Sequence, residues 1–303
     1  MKQKEIGKTR LSERIFHIFN NAFLILLAII CLYPFYYIFI NTISSNILSD
    51  RGEILFYPQQ IHFTNYVRVL QIPGLMQAAF ISVSRTVLGT TLTVMCSAYL
   101  GFMFTQEKMW RRQIWYRFII LTMYFSAGLI PWYITVMNLG LLNNFMIYIL
   151  PGLVAPFNII LVKTFVESVP KAIQESAEID GAGTMRIFIR VILPVIKPIL
   201  ATIAIFSAVG QWNNLMDTVI FMTDQKLFTL QFVLAQYLNQ ANALATIIQQ
   251  SGFSDSAMNA MTKQTATSVR MTVSIIVTLP ILFVYPFSQR YFVQGIMIGS
   301  VKG

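Results

Sequence analysis

Ala22-Phe23-Leu24-Ile25-Leu26-Leu27-Ala28-Ile29-Ile30-Cys31-Leu32-Tyr33 opens an apolar run that continues to Ile43 without a charged residue. A run of this length matches the roughly 20 residues an α-helix needs to cross a bilayer. Five more such stretches follow: Gln77–Phe104, Ile114–Met137, Asn143–Val166, Pro198–Met222 and Val269–Val293. In lipid every backbone polar group must be satisfied internally, which a helix does within its own segment. Barrel strands would alternate apolar and polar residues over about ten positions, and these segments do not. The composition agrees. The 303 residues are 56% hydrophobic and 11% charged, with a mean hydropathy of +0.63. A soluble domain averages about 25% charged residues, so too few are present here to cover a soluble surface. The expected fold class is all-α, a polytopic membrane protein with about six transmembrane helices.

The net charge of +10 sits at the ends of the apolar runs, where it acts as an orientation signal and an anionic-lipid contact. It does not form a phosphate-binding face, and no nucleic-acid partner is expected. Lys2, Lys4, Lys8, Arg10 and Arg14 precede the first run; Lys108, Arg111 and Arg112 follow the second; Lys171, Arg186, Arg190 and Lys197 follow the fourth. The opposite side carries Arg51, Arg68, Lys226 and Lys263, within longer loops. Positive-inside bias therefore predicts that both termini and the 169–197 loop are cytoplasmic. Residues 1–21 form a cytoplasmic amino-terminal segment and 22–303 the transmembrane domain. The first run exceeds a signal-peptide core and lacks a small-residue cleavage site, so it reads as a retained anchor.

Cys31 and Cys96 both fall inside apolar segments and read as buried thiols. His17 and His62 are the only histidines, and no HExxH or CxxC spacing occurs, so no metal site is expected. A catalytic constellation of paired intramembrane carboxylates or clustered histidines is also missing from the sequence.

The connection between the fourth and fifth runs is unusually long. Pro170 suits the first turn of a helix, Glu175 and Glu178 sit early in it, and Gly181 and Gly183 can end it and turn the chain. Thr184 can cap a second short helix, which Pro194 and Pro198 close. Ser176, Ala177, Gly181, Ala182 and Gly183 leave the corner lined with small residues, open to close approach by another backbone. Ile173, Ile179, Met185 and Phe188 can supply apolar contacts. On these grounds an interfacial helix lying on lipid and a helix docking a partner are equally supported.

The stretch Glu175-Ser176-Ala177-Glu178-Ile179-Asp180-Gly181-Ala182, followed by Phe188 and Ile192-Leu193-Pro194, resembles the EAA loop of bacterial ABC importer permeases. Its place before the penultimate span matches too; Ser176 departs from the usual alanine. Over nearly its full length the chain resembles carbohydrate permeases of the maltose-permease type. Within that group it is similar to the branch for oligosaccharides and polysaccharide fragments in Gram-positive bacteria, whose ending it shares in Tyr291–Gly303. The resemblance implies a type I importer permease fold in the bacterial cell membrane. It also implies a second permease subunit, two copies of an ABC ATPase, an extracellular substrate-binding protein and a carbohydrate substrate. ATP and magnesium would then belong to the partner ATPase, with no cofactor in this chain. Glu175, Ser176, Ala177, Asp180, Gly181, Ala182, Leu193 and Pro194 would form the ATPase-docking surface. Gly7-Lys8-Thr9 is similar to the end of a P-loop, but Lys2 stands where its first glycine is required, and no strand precedes it.

Gln211, Trp212, Asn213, Asn214 and Asp217 make a polar run in the fifth span. Polar groups at membrane depth face protein or a water-filled path. These residues therefore either line a sugar pathway or bond to another helix. Arg85 can snorkel to the outer interface or pair with Asp217. Pro131, Pro151, Pro156, Pro280 and Pro286 interrupt spans three, four and six. The external loop 223–268 is rich in Gln and Asn, and Gln231–Gln250 can form a helix with Leu234, Leu238 and Ala241 on one face. In the resembled family this loop meets the binding protein, which would place Gln236, Tyr237, Gln240 and Gln249 at that contact. The competing classes are a permease for a non-sugar solute, a membrane-embedded enzyme, and a secondary transporter independent of ATP, which usually shows inverted repeats.

Overall fold

The structure, a computed structural model, describes residues 11–251 and 265–298. The basic residues Lys2, Lys4, Lys8 and Arg10, together with Lys263 and the last residues from Gly299 to Gly303, lie outside it. Among the described residues the regular structure is entirely helical. In chain order the helices are α1 (Leu11–Thr42), α2 (Asn46–Asp50), α3 (Thr64–Leu70), α4 (Leu75–Met103), α5 (Arg112–Thr122), α6 (Leu129–Asn138), α7 (Leu150–Leu153) and α8 (Pro156–Glu167). The chain continues with α9 (Lys171–Ile179), α10 (Thr184–Ile187), α11 (Leu193–Val195), α12 (Lys197–Asn213), α13 (Met216–Phe221), α14 (Leu230–Ser251) and α15 (Ala266–Ile298).

Among the described residues two helices are each long and apolar enough to cross a membrane, Glu13–Thr42 within α1 and Leu75–Met103, and Ala266–Leu282 within α15 is a shorter apolar helix. Two bent pairs qualify together: Phe145–Gly152 with Pro156–Glu167, bent by 43°, and Thr184–Val195 with Lys197–Asn213, bent by 79°. The third expected span, Ile114–Met137, is divided into α5 and α6, with Met123–Gly128 between them. Here the structure corrects the reading of the prolines. Pro131, Pro151, Pro156 and Pro198 lie in the first turns of α6, α7, α8 and α12. A first turn has no intrahelical partner for the missing N–H, so these residues start new helices and do not kink continuous ones. Pro280 and Pro286 instead lie within the unbroken α15, where one lost hydrogen bond leaves the rest of a long helix intact.

The chain groups into two compact units, Met1–Val69 with Gln240–Ile276 and Leu70–Asn239 with Val277–Gly303. In the first, α1 exposes apolar side chains such as Phe19, Ile25 and Leu32, a surface only lipid or another chain could cover. Its far end is tied by buried polar groups. Asn41 Nδ2 donates to Tyr37 O at 2.9 Å, Ser49 Oγ to Asn41 Oδ1 at 2.7 Å, and Asn65 Nδ2 to Thr42 O at 3.0 Å. These bonds hold α2 and α3 against the end of the span.

The second unit is built around α4, α8 and α12. Gly101 lets α8 close on α4, because a Cβ there would lie 2.6 Å from Val162. The core formed by Ala98, Phe102, Val162 and Val166 extends into Ile187, Phe188, Ile192, Ile196 and Ile203. The α10–α12 segment is therefore anchored in the span core, and not merely laid over it.

Candidate functional site

Arg85, on α4, has only 2% of its side chain exposed. A cation so buried is tolerated only when it is paired and hydrogen-bonded, and here every side of the guanidinium is occupied. Arg85 Nε donates to Gln211 Oε1 at 2.7 Å and Nη1 to Asn214 O at 3.0 Å, while Nη2 pairs with Asp217 Oδ2. The Tyr148 ring lies 4.5 Å from the guanidinium carbon, a cation–π contact. Tyr148 is itself fixed, its hydroxyl 2.9 Å from Thr218 Oγ1 and donating to Leu227 O at 2.8 Å. Arg85 thus does not snorkel; it pairs with Asp217 inside the protein.

The carbonyl of Asn214 is free to receive Arg85 because the helix breaks there. Asn214 is extended (φ −75°, ψ 107°), between α12 and α13. Its side chain closes the break by donating to Asp217 Oδ2 at 3.0 Å and accepting from Asp217 N at 3.2 Å. A second break lies between α7 and α8, where Val154 and Ala155 are extended. Irregular backbone at membrane depth belongs where it is covered by protein or lines a cavity. Both breaks border one cavity of about 390 Å³, walled also by Arg85, Tyr148 and Asn158.

Of the five polar residues in the fifth span, the structure brings Gln211, Asn214 and Asp217 to this cavity. Trp212 is buried elsewhere, its Nε1 donating to Val277 O at 3.0 Å. Asn213 is exposed and outside the cavity wall. Tyr148 and Asn158 went unremarked in the sequence. Asn158 left a readable signal, an amide within the apolar stretch Leu150–Val162, whereas Tyr148 left none that separates it from neighbouring aromatics.

The loop between spans four and five forms the second constellation. Pro170 precedes α9 and Gly183 precedes α10, so Thr184 begins its helix and does not cap it. Gly181 takes φ +77°, a left-handed conformation that favours glycine and ends α9. Glu175, Ser176, Asp180, Gly181 and Pro194 face outward. Ala177, Ala182 and Leu193 instead pack on the inner core, and Phe188 is buried, stacked on Phe102 with ring centroids 5.3 Å apart. Phe188 is therefore a core residue and unavailable as an outer contact, while Ile179 is 86% exposed. Polar bridges brace α9 against the connection after α4: Lys108 to Glu178 at 2.9 Å, Lys171 to Glu107 at 3.3 Å and Gln106 to Gln174 at 3.2 Å. Glu175 lines the same groove and has no ion-pair partner among the described residues.

The helix expected at Gln231–Gln250 is present as α14. Leu234 is fully buried, Gln236 and Gln240 are exposed, and Tyr237 is half-buried. The side chain of Gln249 lies outside the described residues.

A family model described as "Binding-protein-dependent transport system inner membrane component" matches residues 94–298. The chain belongs to this family. The permease is 33% identical to Protein LplC of Bacillus subtilis (strain 168) over 290 residues, 96% of each chain. It is 30% identical to a polygalacturonan/rhamnogalacturonan transport system permease protein, YtcP, of the same organism, over 97% of this chain and 100% of the relative. Among solved structures, the permease is similar to a chain of a bacterial ABC transporter involved in the import of the acidic polysaccharide alginate. That chain is 29% identical with a TM-score of 0.77, covering 94% of this chain and 99% of the other. The family places the permease in a membrane as one part of a transport system that depends on a binding protein.

Proposed function

We propose that this permease forms half of the translocation path of an ATP-driven importer for oligosaccharides or polysaccharide fragments, and that a separate ATPase docks on the α9–Gly181 corner. The observation that carries the reading is the division of labour within that corner. Ala177, Ala182, Leu193 and Phe188 turn inward, while Glu175, Ser176, Asp180 and Gly181 stay outward, Glu175 with no ion-pair partner among the described residues. A surface held rigidly from behind and left open in front suits a docking helix better than a lipid-lying one, whose apolar face would be continuous. The relatives that import polygalacturonan, rhamnogalacturonan and alginate support a carbohydrate substrate.

The same reading puts the docking corner and both termini in the cytoplasm, a second permease subunit beside this one, and ATP with its magnesium on the ATPase. Gln211, Asn214 and Asp217 line the path. Gln236, Tyr237 and Gln240 on α14 face the binding protein outside, and Gln249 belongs to the same contact. Trp212 and Asn213 serve helix packing and a subunit contact.

The test is purification of the tagged permease from membranes, followed by uptake in proteoliposomes. Co-purification of a second permease and an ATPase, with ATP-dependent uptake of an oligogalacturonide or a neutral arabino-oligosaccharide, is expected. Uptake of neither sugar would remove the carbohydrate assignment. Purification as a lone chain that transports without ATP would remove the importer assignment.

A further inference from the structure

Asn158 is nine-tenths buried, yet its side chain has no hydrogen-bond partner among the described residues. Buried amides are nearly always bonded, and one left unpaired in a dry environment is unfavourable. Asn158 lines the cavity between the two helix breaks, and its amide can find a partner there. It stands in the first turn of α8, beside the extended Val154 and Ala155.

Across the cavity, Ser207 and Gln211 lie one turn apart on α12 and share a face. Gln211 uses its Oε1 to receive Arg85 Nε, which leaves the Nε2 donors uncommitted, and the Ser207 hydroxyl likewise has no partner among the described residues. The Gln211 amide lies close against Gly89 and Gly152. Arg85 and Asp217 neutralise one another, so the wall presents no net charge.

We infer that Asn158, with Gln211 and Ser207, forms a binding subsite for the hydroxyl groups of one sugar ring during passage. The inference rests on the carbohydrate reading above. Amide and hydroxyl groups both donate and accept, the requirement for adjacent sugar hydroxyls, which do both as well. A cavity of about 390 Å³ lies at the small end of the roughly 300–1,000 Å³ range of ligand sites, which suits a single ring and not a chain segment. A neutral wall holds a uronic and a neutral ring by the same bonds. Such a site is weak enough to release its cargo, as a conducting path requires.

The experiment uses the whole complex with its binding protein in proteoliposomes, and an oligogalacturonide and an arabino-oligosaccharide as probes. ATP hydrolysis and sugar uptake are measured together. If the parent complex imports neither probe, the carbohydrate reading fails and the subsite falls with it. If the parent imports either one, Asn158→Ala is expected to lower sugar moved per ATP about tenfold, the effect of one lost hydrogen bond at its upper range. Stimulation of ATP hydrolysis by loaded binding protein should stay within about twofold of the parent. Asn158→Ser, which keeps a hydroxyl, should retain about a third of the parental ratio, and it decides the matter if the alanine variant fails to assemble. An unchanged ratio in the variant that assembles would overturn the subsite. So would uptake and hydrolysis falling in step, or loss of the second permease from the complex in both variants, because either would make Asn158 a packing residue.

Discussion

The amide of Gln211 fills the space that a Cβ on Gly89 would occupy, with its Nε2 2.7 Å and its Cδ 2.9 Å from that position. Gln211 is held there from the other side by Arg85, so the glycine and the arginine together fix one side chain of the cavity wall.

Gly89→Ala should therefore displace Gln211 and break its bond to Arg85. Uptake is expected to fall several-fold while the amount of permease in the membrane changes little. Gly89→Ala combined with Gln211→Ala removes the collision and should restore helix packing, read as the thermal stability of the purified complex, without restoring uptake. Stability that stays low in the double variant would show that Gln211 is not what Gly89 accommodates.

The Arg85–Asp217 pair predicts an unequal pattern among leucine replacements. Removing one member of a fully buried pair costs about 3–5 kcal/mol, whereas replacing both by apolar residues is often neutral. The cost should be smaller here, because 27% of the Asp217 side chain is exposed and water can reach it. Arg85→Leu and Asp217→Leu should each lower the melting temperature, and the double variant should recover most of the loss. Additive losses would mean the two residues act independently.

At the α9–Gly181 corner, Gly181 has open space where a side chain would project, so bulk there meets nothing among the described residues. Gly181→Trp and Glu175→Lys are expected to abolish co-purification of the ATPase, with membrane insertion intact. Gly181→Asn, which tolerates the left-handed backbone, should keep the ATPase bound. Normal ATPase association in both of the first two variants would refute the docking assignment.

Phe188→Ala separates core from contact. A buried aromatic replaced by alanine costs about 3–5 kcal/mol, so the isolated permease should lose thermal stability even with no ATPase present. A variant stable alone but deficient in ATPase binding would return Phe188 to the outer surface.

The long apolar runs made most of the fold legible, because lipid leaves a chain few choices of backbone. The breaks were harder to read. Pro131 and Pro156 marked them, but a proline in a run of apolar residues signals a kink and a fresh helix start alike. Only tertiary packing separates those two outcomes, as the uninterrupted helix at Pro280 shows. The turn that ends α9 at Gly181 was readable, because local backbone geometry governs it. Phe188 was not, since its inward turn depends on Phe102, far away in sequence. Arg85 and Asp217 stood out as charges in apolar surroundings, but their pairing required the start of α13 to lie beside α4. Periodicity within one helix carries no information about which helix lies beside it.

The anchoring of α10–α12 into the span core has a mechanical consequence. Phe102 and Phe188 clasp the same helix, α4, that carries Arg85 some 25 Å away at 1.5 Å per residue. α12 joins the two places a second time, from Ile196 beside the clasp to Gln211 at the cavity. Two stiff rods joined at both ends cannot absorb a push by bending. A displacement of the Gly181 corner would therefore carry the two helices together, and the cavity walls are the surfaces those rods carry.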